Sequence, residues 1–346
     1  MVSPEKSCCS CSCQNVSSSG ICAITSINST ISLKNRIDHF QARWGYKRSN
    51  HRVIPGLYKL GNPNAESPVF ACANYTLSFD VLRSALNCLD GYILVLDTKG
   101  INVWCAAGKG TFGTDELVRC IESTGLSDVV SHRKIIVPQL GAPGVSAIEV
   151  QRRSGFNVNF GPVRAKDLPL FLKTGTKTPE MRRVDFPLYD RLVLTPVELI
   201  QVIVPTIIIT IILWFIVGNM AALAAIVTVL TGTILFPILL PLIPTKDFSM
   251  KGLILGFILA IPFAVGYALS QGLPLWAQVT GALVPLLVIP PVVAYLALNF
   301  TGSTTFTSRT GVKKEIFRYI PVMILLSATG IIIGVILGIL RLMEMI

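Results

Sequence analysis

The run Asn102-Val103-Trp104-Cys105-Ala106-Ala107-Gly108-Lys109 places one thiol between a polar cap residue and a glycine. A thiolate is both a nucleophile and a soft-metal ligand, so the chemistry depends on what this sulfur is presented to. Two familiar sites fail on residues that they require. A dithiol redox site needs a second cysteine three positions on, and residue 108 is Gly. A phosphate loop needs four residues between its glycines and a Ser or Thr after its Lys. Here seven separate Gly100 from Gly108, and residue 110 is Gly. The small residues Ala106, Ala107 and Gly108 would instead let a flat molecule approach the helix closely. Asn102 could hydrogen-bond the thiolate or simply cap the helix. Trp104 could pack on a ring or anchor the turn, and Lys109 could meet an amide or phosphate or stay solvated.

The elements around this run define where it must sit. Val69–Ala73 and Tyr92–Leu96 read as buried strands, unbroken in their apolar character. Between them Phe79, Leu82, Leu86 and Leu89 mark one face of a helix. After the cysteine run, Thr114 is a helix N-cap candidate with Asp115 and Glu116 in the first turn. Ile135–Val137 and Asn157–Phe160 add strands, and Arg152, Arg153 and Gly155 close the helix between them. A last helix follows the turn Gly161–Ala165. Strands alternating with helices predict an α/β fold, a Rossmann-like parallel sheet with helices on both faces. Ligands bind such sheets at the carboxyl ends of the strands. Asn74, Thr76 and Ser78, Gly141 and Ala142, and Ala165 are cofactor-binding candidates on that ground, gathered beside Cys105.

The chain has 346 residues and nine cysteines. Five of them, Cys8, Cys9, Cys11, Cys13 and Cys22, lie in a Ser/Cys-rich stretch over residues 1–31 that reads as disordered. Thiolates this dense would bind Hg(II), Zn(II) or Cu(I), or the tail is simply tolerated. Its spacing is not that of an iron–sulfur site. No cleavable signal peptide is visible, so reduced thiols are expected, and Cys72, Cys88 and Cys120 read as inert packing residues. Over residues 32–62, Ile37, Phe40 and Trp44 recur at helical spacing among Lys34, Arg36, Arg43, Lys47 and Arg48. This predicts a helix packed on the core with a basic face towards a membrane.

From about Val197 to Leu340 the sequence is almost wholly apolar. Five segments, 197–217, 220–242, 252–271, 275–297 and 319–340, are each long enough to span a bilayer. They predict an all-α five-helix transmembrane domain over 197–340, after a globular domain over 32–190. Lys246, Lys251, Arg309, Lys313, Lys314 and Arg318 fall in loops on the side of Arg182, Arg183 and Arg191. The positive-inside rule then places the globular domain in the cytoplasm, at the cell membrane. The formal net charge of +11 fits a membrane surface, and no nucleic-acid motif accompanies it. Gly252/Gly256 and Gly330/Gly334/Gly338 repeat every four residues, which suits close packing within the bundle. No span carries a central acid, base or His, so the bundle reads as an anchor rather than a transporter.

The cysteine run resembles the cap-helix motif of the corrinoid protein of microbial mercury methylation. Ala73-Asn74-Tyr75 through Ser78-Phe79-Asp80, and Pro138 through Gly144, also resemble that family. More distantly, the globular region looks like the corrinoid domain of the corrinoid iron–sulfur protein of the acetyl-CoA pathway. The resemblance implies a cobalamin-type corrinoid with Cys105 as axial ligand to its cobalt. Asn102 and Trp104 would act beside Cys105, and Val103, Ala106, Gly108 and Lys109 would contact the ring. It implies methyl transfer from cobalt to Hg(II), with the thiolate stabilising the Co(III) left behind. It also implies a ferredoxin-like reductant with two 4Fe–4S clusters and a methyltetrahydrofolate-linked methyltransferase upstream. Two other functions remain open: a corrinoid methyl carrier of one-carbon metabolism for which mercury is incidental, and a soft-metal transporter or sensor.

Overall fold

The computed structural model describes residues 24–47, 50–304 and 307–343. The cysteine-rich tail, over 1–23, lies outside them. Two compact units meet in sequence at Arg183 and Val184, with Arg43–Gly45 counted in the second.

The first unit is a six-stranded mixed sheet in the order β1-β2-β4-β3-β5-β6. Its strands are β1 (Thr25–Ile27), β2 (Gly56–Leu60), β3 (Val69–Ala73), β4 (Gly91–Leu96), β5 (Lys134–Val137) and β6 (Asn157–Phe160). The four strands expected from sequence run parallel to one another, with Val69 opposite Tyr92 and Lys134 opposite Asn157. The wholly parallel sheet predicted from sequence needs one correction. β2 pairs antiparallel with β4, and β1 extends the sheet beyond it. β1 also lies inside the stretch expected to be disordered. Both strands are short and near the edge, and Lys59 is exposed, so neither presents a continuous apolar run.

Alternate residues of the central strands feed two cores, as the two-residue period of a strand requires. Val69, Ala71, Tyr92, Leu94, Ile135 and Val137 face one core. That side is covered by α3 (Val103–Lys109), α4 (Thr114–Ser123), α5 (Leu126–Val129) and α6 (Ala147–Ser154). Phe70, Cys72, Ile93 and Val95 face the other, against α2 (Thr76–Ala85) and α7 (Leu168–Thr174). α8 (Pro179–Arg182) follows and contributes Met181 to that second core. α4 starts one residue earlier than expected, with Gly113 as N-cap and Thr114 inside the helix.

α1 (Leu33–Arg43) forms where its period predicted, but its apolar stripe is not packed on the core. Leu33, Ile37 and Phe40 are 74%, 51% and 61% exposed. The opposite face holds the helix by polar pairs: His39 Nε2 to Asp80 Oδ2 and His51 Nδ1 to Asp38 Oδ1, both at 2.7 Å.

The second unit is helical, with α9 (Leu188–Leu192), α10 (Thr195–Ile216), α11 (Asn219–Leu230), α12 (Phe236–Leu239), α13 (Phe248–Ala268), α14 (Leu275–Phe300) and α15 (Arg309–Leu342). A π-helical turn, Thr231–Leu235, joins α11 to α12. Among the described residues, five helical stretches are long and apolar enough to cross a membrane. Three glycines of the small-residue repeats pack tightly inside this unit, whereas a Cβ at Gly338 would meet nothing within 4 Å among the described residues. A Cβ at Gly252 would come within 2.5 Å of Ala294 Cα, one at Gly256 within 2.5 Å of Pro290 Cα, and one at Gly330 within 2.7 Å of Val288. Glu198 is buried and accepts the Ser303 hydroxyl. Arg191 donates to the carbonyls of Pro237 and Ile238, satisfying acceptors at the end of α12.

Candidate functional site at the carboxyl edge of the sheet

Asn74, the first residue beyond β3, builds the approach to the cysteine helix. Its side chain is 2% exposed. Its Oδ1 accepts the backbone N–H of Thr98 at 3.0 Å and of Gly100 at 2.9 Å, and its Nδ2 donates to Asp97 Oδ1 at 3.0 Å. The buried Thr98 hydroxyl donates to Ile101 O at 2.7 Å. Glu116 of α4 accepts the Asp97 N–H at 2.8 Å from the other side. The loop after β4 is thus tied on both flanks before the chain enters α3. Sequence reading placed Asn74 on a cofactor. Instead it is a buried amide that shapes a loop, because a buried carboxamide needs partners and the loop's N–H groups supply them. Thr98 and Glu116 were missed, although a polar residue directly beyond an apolar strand is the available signal.

The cap helix itself is oriented by Asn102. The Asn102 side chain accepts the Cys105 N–H at 2.9 Å, an N-cap bond to the third helical residue. Gly110 closes the helix with φ +83°, a left-handed conformation suited to glycine. Asn102, Cys105 and Gly108 follow one another at three-residue spacing, so they share one face. Asn102, Gly108 and Lys109 are exposed there, and Cys105 and Trp104 are half-buried. Cys105 carries a thiol.

The other face points inward. Val103, Ala106 and Ala107 belong to the core beneath α3. The expectation that Val103 and Ala106 contact a ring is therefore corrected: the seven-residue helix must bury one face, and theirs is the apolar one. Gly141 and Gly144 also have packing roles. A Cβ at Gly141 would lie 2.6 Å from the Phe112 ring, and one at Gly144 would lie 2.2 Å from Phe112 O. Phe112, fully buried, is the plug that seats this loop against α3. Ala142 is half-buried in the same turn.

Thr76 and Ser78 open α2, and Ala165 packs against the second core, on the side of the sheet away from α3. Thr76 lines a separate cleft of about 550 Å³ with Asn28, Asn35, Asp80 and Arg83. The charges of that cleft are already paired, since Arg83 meets Asp80 at 2.6 Å and Asn28 O and Thr30 O at 2.7 Å. Cys105 is not among its lining residues.

The remaining thiols contrast with Cys105. Burial pushes the Cys72 thiol up to about 12, and Cys120 is enclosed beside Glu116 Oε1 at 3.3 Å. Cys88 is exposed in the turn after α2.

Comparison with known proteins places the similarity on this unit. Residues 38–171 match the family described as CO dehydrogenase/acetyl-CoA synthase delta subunit. The gamma subunit of the acetyl-CoA decarbonylase/synthase complex of Methanopyrus kandleri is 32% identical over 128 residues, 36% of this chain and 27% of the relative. The corresponding subunit of Methanocaldococcus jannaschii is 37% identical over 107 residues, covering 30% and 21%. That of Archaeoglobus fulgidus is 32% identical over 118 residues, covering 34% and 25%. The chain therefore spans about a quarter of the length of these relatives. The family match ends at residue 171, ahead of the apolar helices.

Proposed function

We propose that this chain is a corrinoid protein that carries a methyl group in one-carbon metabolism and is held at a membrane by its helical unit. The observation that carries the reading is the presentation of Cys105, whose backbone Asn102 fixes and whose helix face it shares with Gly108. The relatives support the metabolic setting, since they are named as subunits of acetyl-CoA decarbonylase/synthase complexes.

The residues fit a corrinoid on two observations. Among the described residues, no group of three or more His, Cys, Asp or Glu gathers to hold a metal ion. A metal bound through Cys105 would take its other ligands from outside the described residues, as the cobalt of a macrocycle does. Secondly, a Cβ built at Gly108 meets no heavy atom within 4 Å among the described residues. Glycine inside a helix costs about 0.5–1 kcal/mol relative to Ala, and among the described residues no atom crowds a Cβ at this position. The space it leaves lies on the side of the cysteine.

When bound, the corrinoid supplies a cobalt ion that carries the methyl group between donor and acceptor. Cys105 would be the residue that holds the cobalt, through a thiolate that is strongly electron-releasing. Asn102 holds the helix turn that aims it, Gly108 clears the approach, and Lys109 stands exposed beside it for the ring's polar periphery. Asn74 acts indirectly, through the loop that delivers α3.

The finer reading is that the acceptor is Hg(II) and the product methylmercury. The Cys105 thiolate would add electron density to the cobalt it holds, which suits an electrophilic methyl acceptor, and Hg(II) is one. In this reading a ferredoxin-like protein with two 4Fe–4S clusters returns electrons, and a methyltetrahydrofolate-linked methyltransferase reloads the methyl group. The membrane part rests on apolar faces such as Ile208, Ile212 and Phe215 of α10, and Leu325 and Ile332 of α15, all about half exposed or more. Each such side chain gains about 1.5–3 kcal/mol on leaving water, so lipid is their fitting surround. The basic loops support a cytoplasmic globular unit by the positive-inside rule.

The test is transfer of an isotopically labelled methyl group from the loaded full chain to Hg(II). Wild type should yield labelled methylmercury. Cys105→Ala should lose more than about a hundredfold, because outer-shell partners of a metal alone are worth about 10–100-fold. Equal transfer by the variant would overturn the role of Cys105. Transfer to a one-carbon acceptor but not to Hg(II) would keep the carrier reading and reject mercury.

A further inference from the structure

The helical unit contains a polar cleft that the methyl-carrier reading leaves without a role. It has a volume of about 290 Å³ and opens where the turn before α13 meets the start of α15. Lys246, Lys314 and Arg318 line it, together with Asp247, Glu315 and Ser308.

The two acids are already committed to the protein. Glu315 is buried and accepts the N–H of Phe248 at 3.2 Å, the N–H of Ser249 at 3.0 Å and the Ser249 hydroxyl at 3.0 Å. It serves as the cap of α13. Asp247 accepts the Tyr319 hydroxyl at 2.8 Å. The Ser308 hydroxyl accepts the Gly311 N–H at 3.1 Å and caps α15. The three cations are all exposed at the cleft, with the Arg318 guanidinium 5.5 Å from the Tyr319 ring centroid. The N-terminal ends of α13 and α15, helices of 21 and 34 residues, lie at the same place and add the positive ends of their dipoles. The cleft therefore offers cations outward while its carboxylates bond inward. It sits where two apolar helices emerge, at the level of headgroups if they span a bilayer.

We propose that this cleft binds the phosphate of an anionic phospholipid headgroup, with Lys246, Lys314 and Arg318 as the contacts. The inference rests on the membrane part of the proposed function. A basic pocket between helix ends on the cytoplasmic side has the chemistry for such a headgroup. Inorganic phosphate shares that chemistry, and the experiment separates the two sources.

Full-length protein in neutral detergent is titrated with short-chain phosphatidylglycerol or phosphatidylcholine, and bound lipid is counted by native mass spectrometry. Wild type should retain phosphatidylglycerol about tenfold more strongly than phosphatidylcholine. The triple variant K246Q/K314Q/R318Q should lose that preference. Lys314→Gln alone, at an exposed position, should reduce it and guards against misfolding of the triple variant. Ten-millimolar-scale inorganic phosphate should leave the lipid in place. Equal retention of phosphatidylglycerol by wild type and both variants would overturn the site. Displacement of the lipid by phosphate would overturn the lipid as its ligand. Failure of the membrane reading looks different: the full chain would stay monodisperse without detergent, whatever the lipid counts.

Discussion

Cys72 and Cys105 belong to neighbouring strand-to-helix units of one sheet and meet opposite environments. Cys72 lies within β3, 3% exposed, on the side covered by α2 and α7, and burial pushes its pKa up to about 12. Cys105 lies beyond β4, on a short helix whose first turn is capped by Asn102 and whose approach loop is tied by Asn74. A cysteine inside a strand is a packing residue. One placed a turn into a helix at the carboxyl edge of the sheet is presented to whatever binds there. Residue type does not distinguish them, and the supporting hydrogen bonds do.

The largest effect on this contrast should come from the support and not from the thiol. Asn74→Ala leaves the buried N–H of Thr98 and the half-buried N–H of Gly100 without their acceptor. Each unmet buried group costs about 1–3 kcal/mol, so urea unfolding should show a loss of about 2–4 kcal/mol. Cobalamin affinity should fall with it, because Asn74 ties the loop that leads into α3. A variant as stable as wild type would show that the loop holds itself.

Gly108→Ala should separate stability from binding. With no steric barrier to the new Cβ, it should stabilise the ligand-free chain by about 0.5–1 kcal/mol through helix propensity. Gly108→Leu should weaken cobalamin binding at least tenfold while leaving the chain folded, as read by circular dichroism and equilibrium titration. If bulk at residue 108 leaves affinity unchanged, the open face of α3 is not where the ring lies.

The smallest effect at neutral pH belongs to Cys72, whose contribution to the pH dependence appears only above about pH 9. Its folded pKa of about 12 stands above the ordinary value of 9.0. The folded chain therefore keeps a proton that the unfolded chain loses. That contribution is complete below about pH 9 and is lost as pH rises towards 12, by up to about 1.4 kcal/mol per pH unit. Melting curves of wild type and Cys72→Ala should accordingly converge as the pH is raised through that window. Under native conditions, iodoacetamide should modify Cys105 and Cys88 while sparing Cys72 and Cys120.

The strands that carry the site are legible in the sequence because they are buried on both faces and read as apolar runs. β1 and β2 are not, being short, close to the edge and, in β2, interrupted by the exposed Lys59. The period of α1 gave the right helix but the wrong surroundings. An apolar stripe does not say what covers it, and here Asp38 and His39 make the contacts. On α3 the pattern is compressed into seven residues, so the sequence alone does not say that Ala106 faces the core while Gly108 faces outward. Of the residues expected to gather at the carboxyl edge, Asn74 and Gly141 lie in loops that meet the cysteine helix, whereas Thr76, Ser78 and Ala165 belong to the side of the sheet away from it. Which residue builds and which presents depends on hydrogen bonds and on the shape of Phe112, and neither is visible in residue spacing.

The most direct test of the central claim is an anaerobic absorbance spectrum of the full chain bound to cob(III)alamin, beside its Cys105→Ala version. The account predicts a shifted cobalt band in wild type that reports sulfur ligation and disappears in the variant. Identical spectra from the two proteins would contradict it.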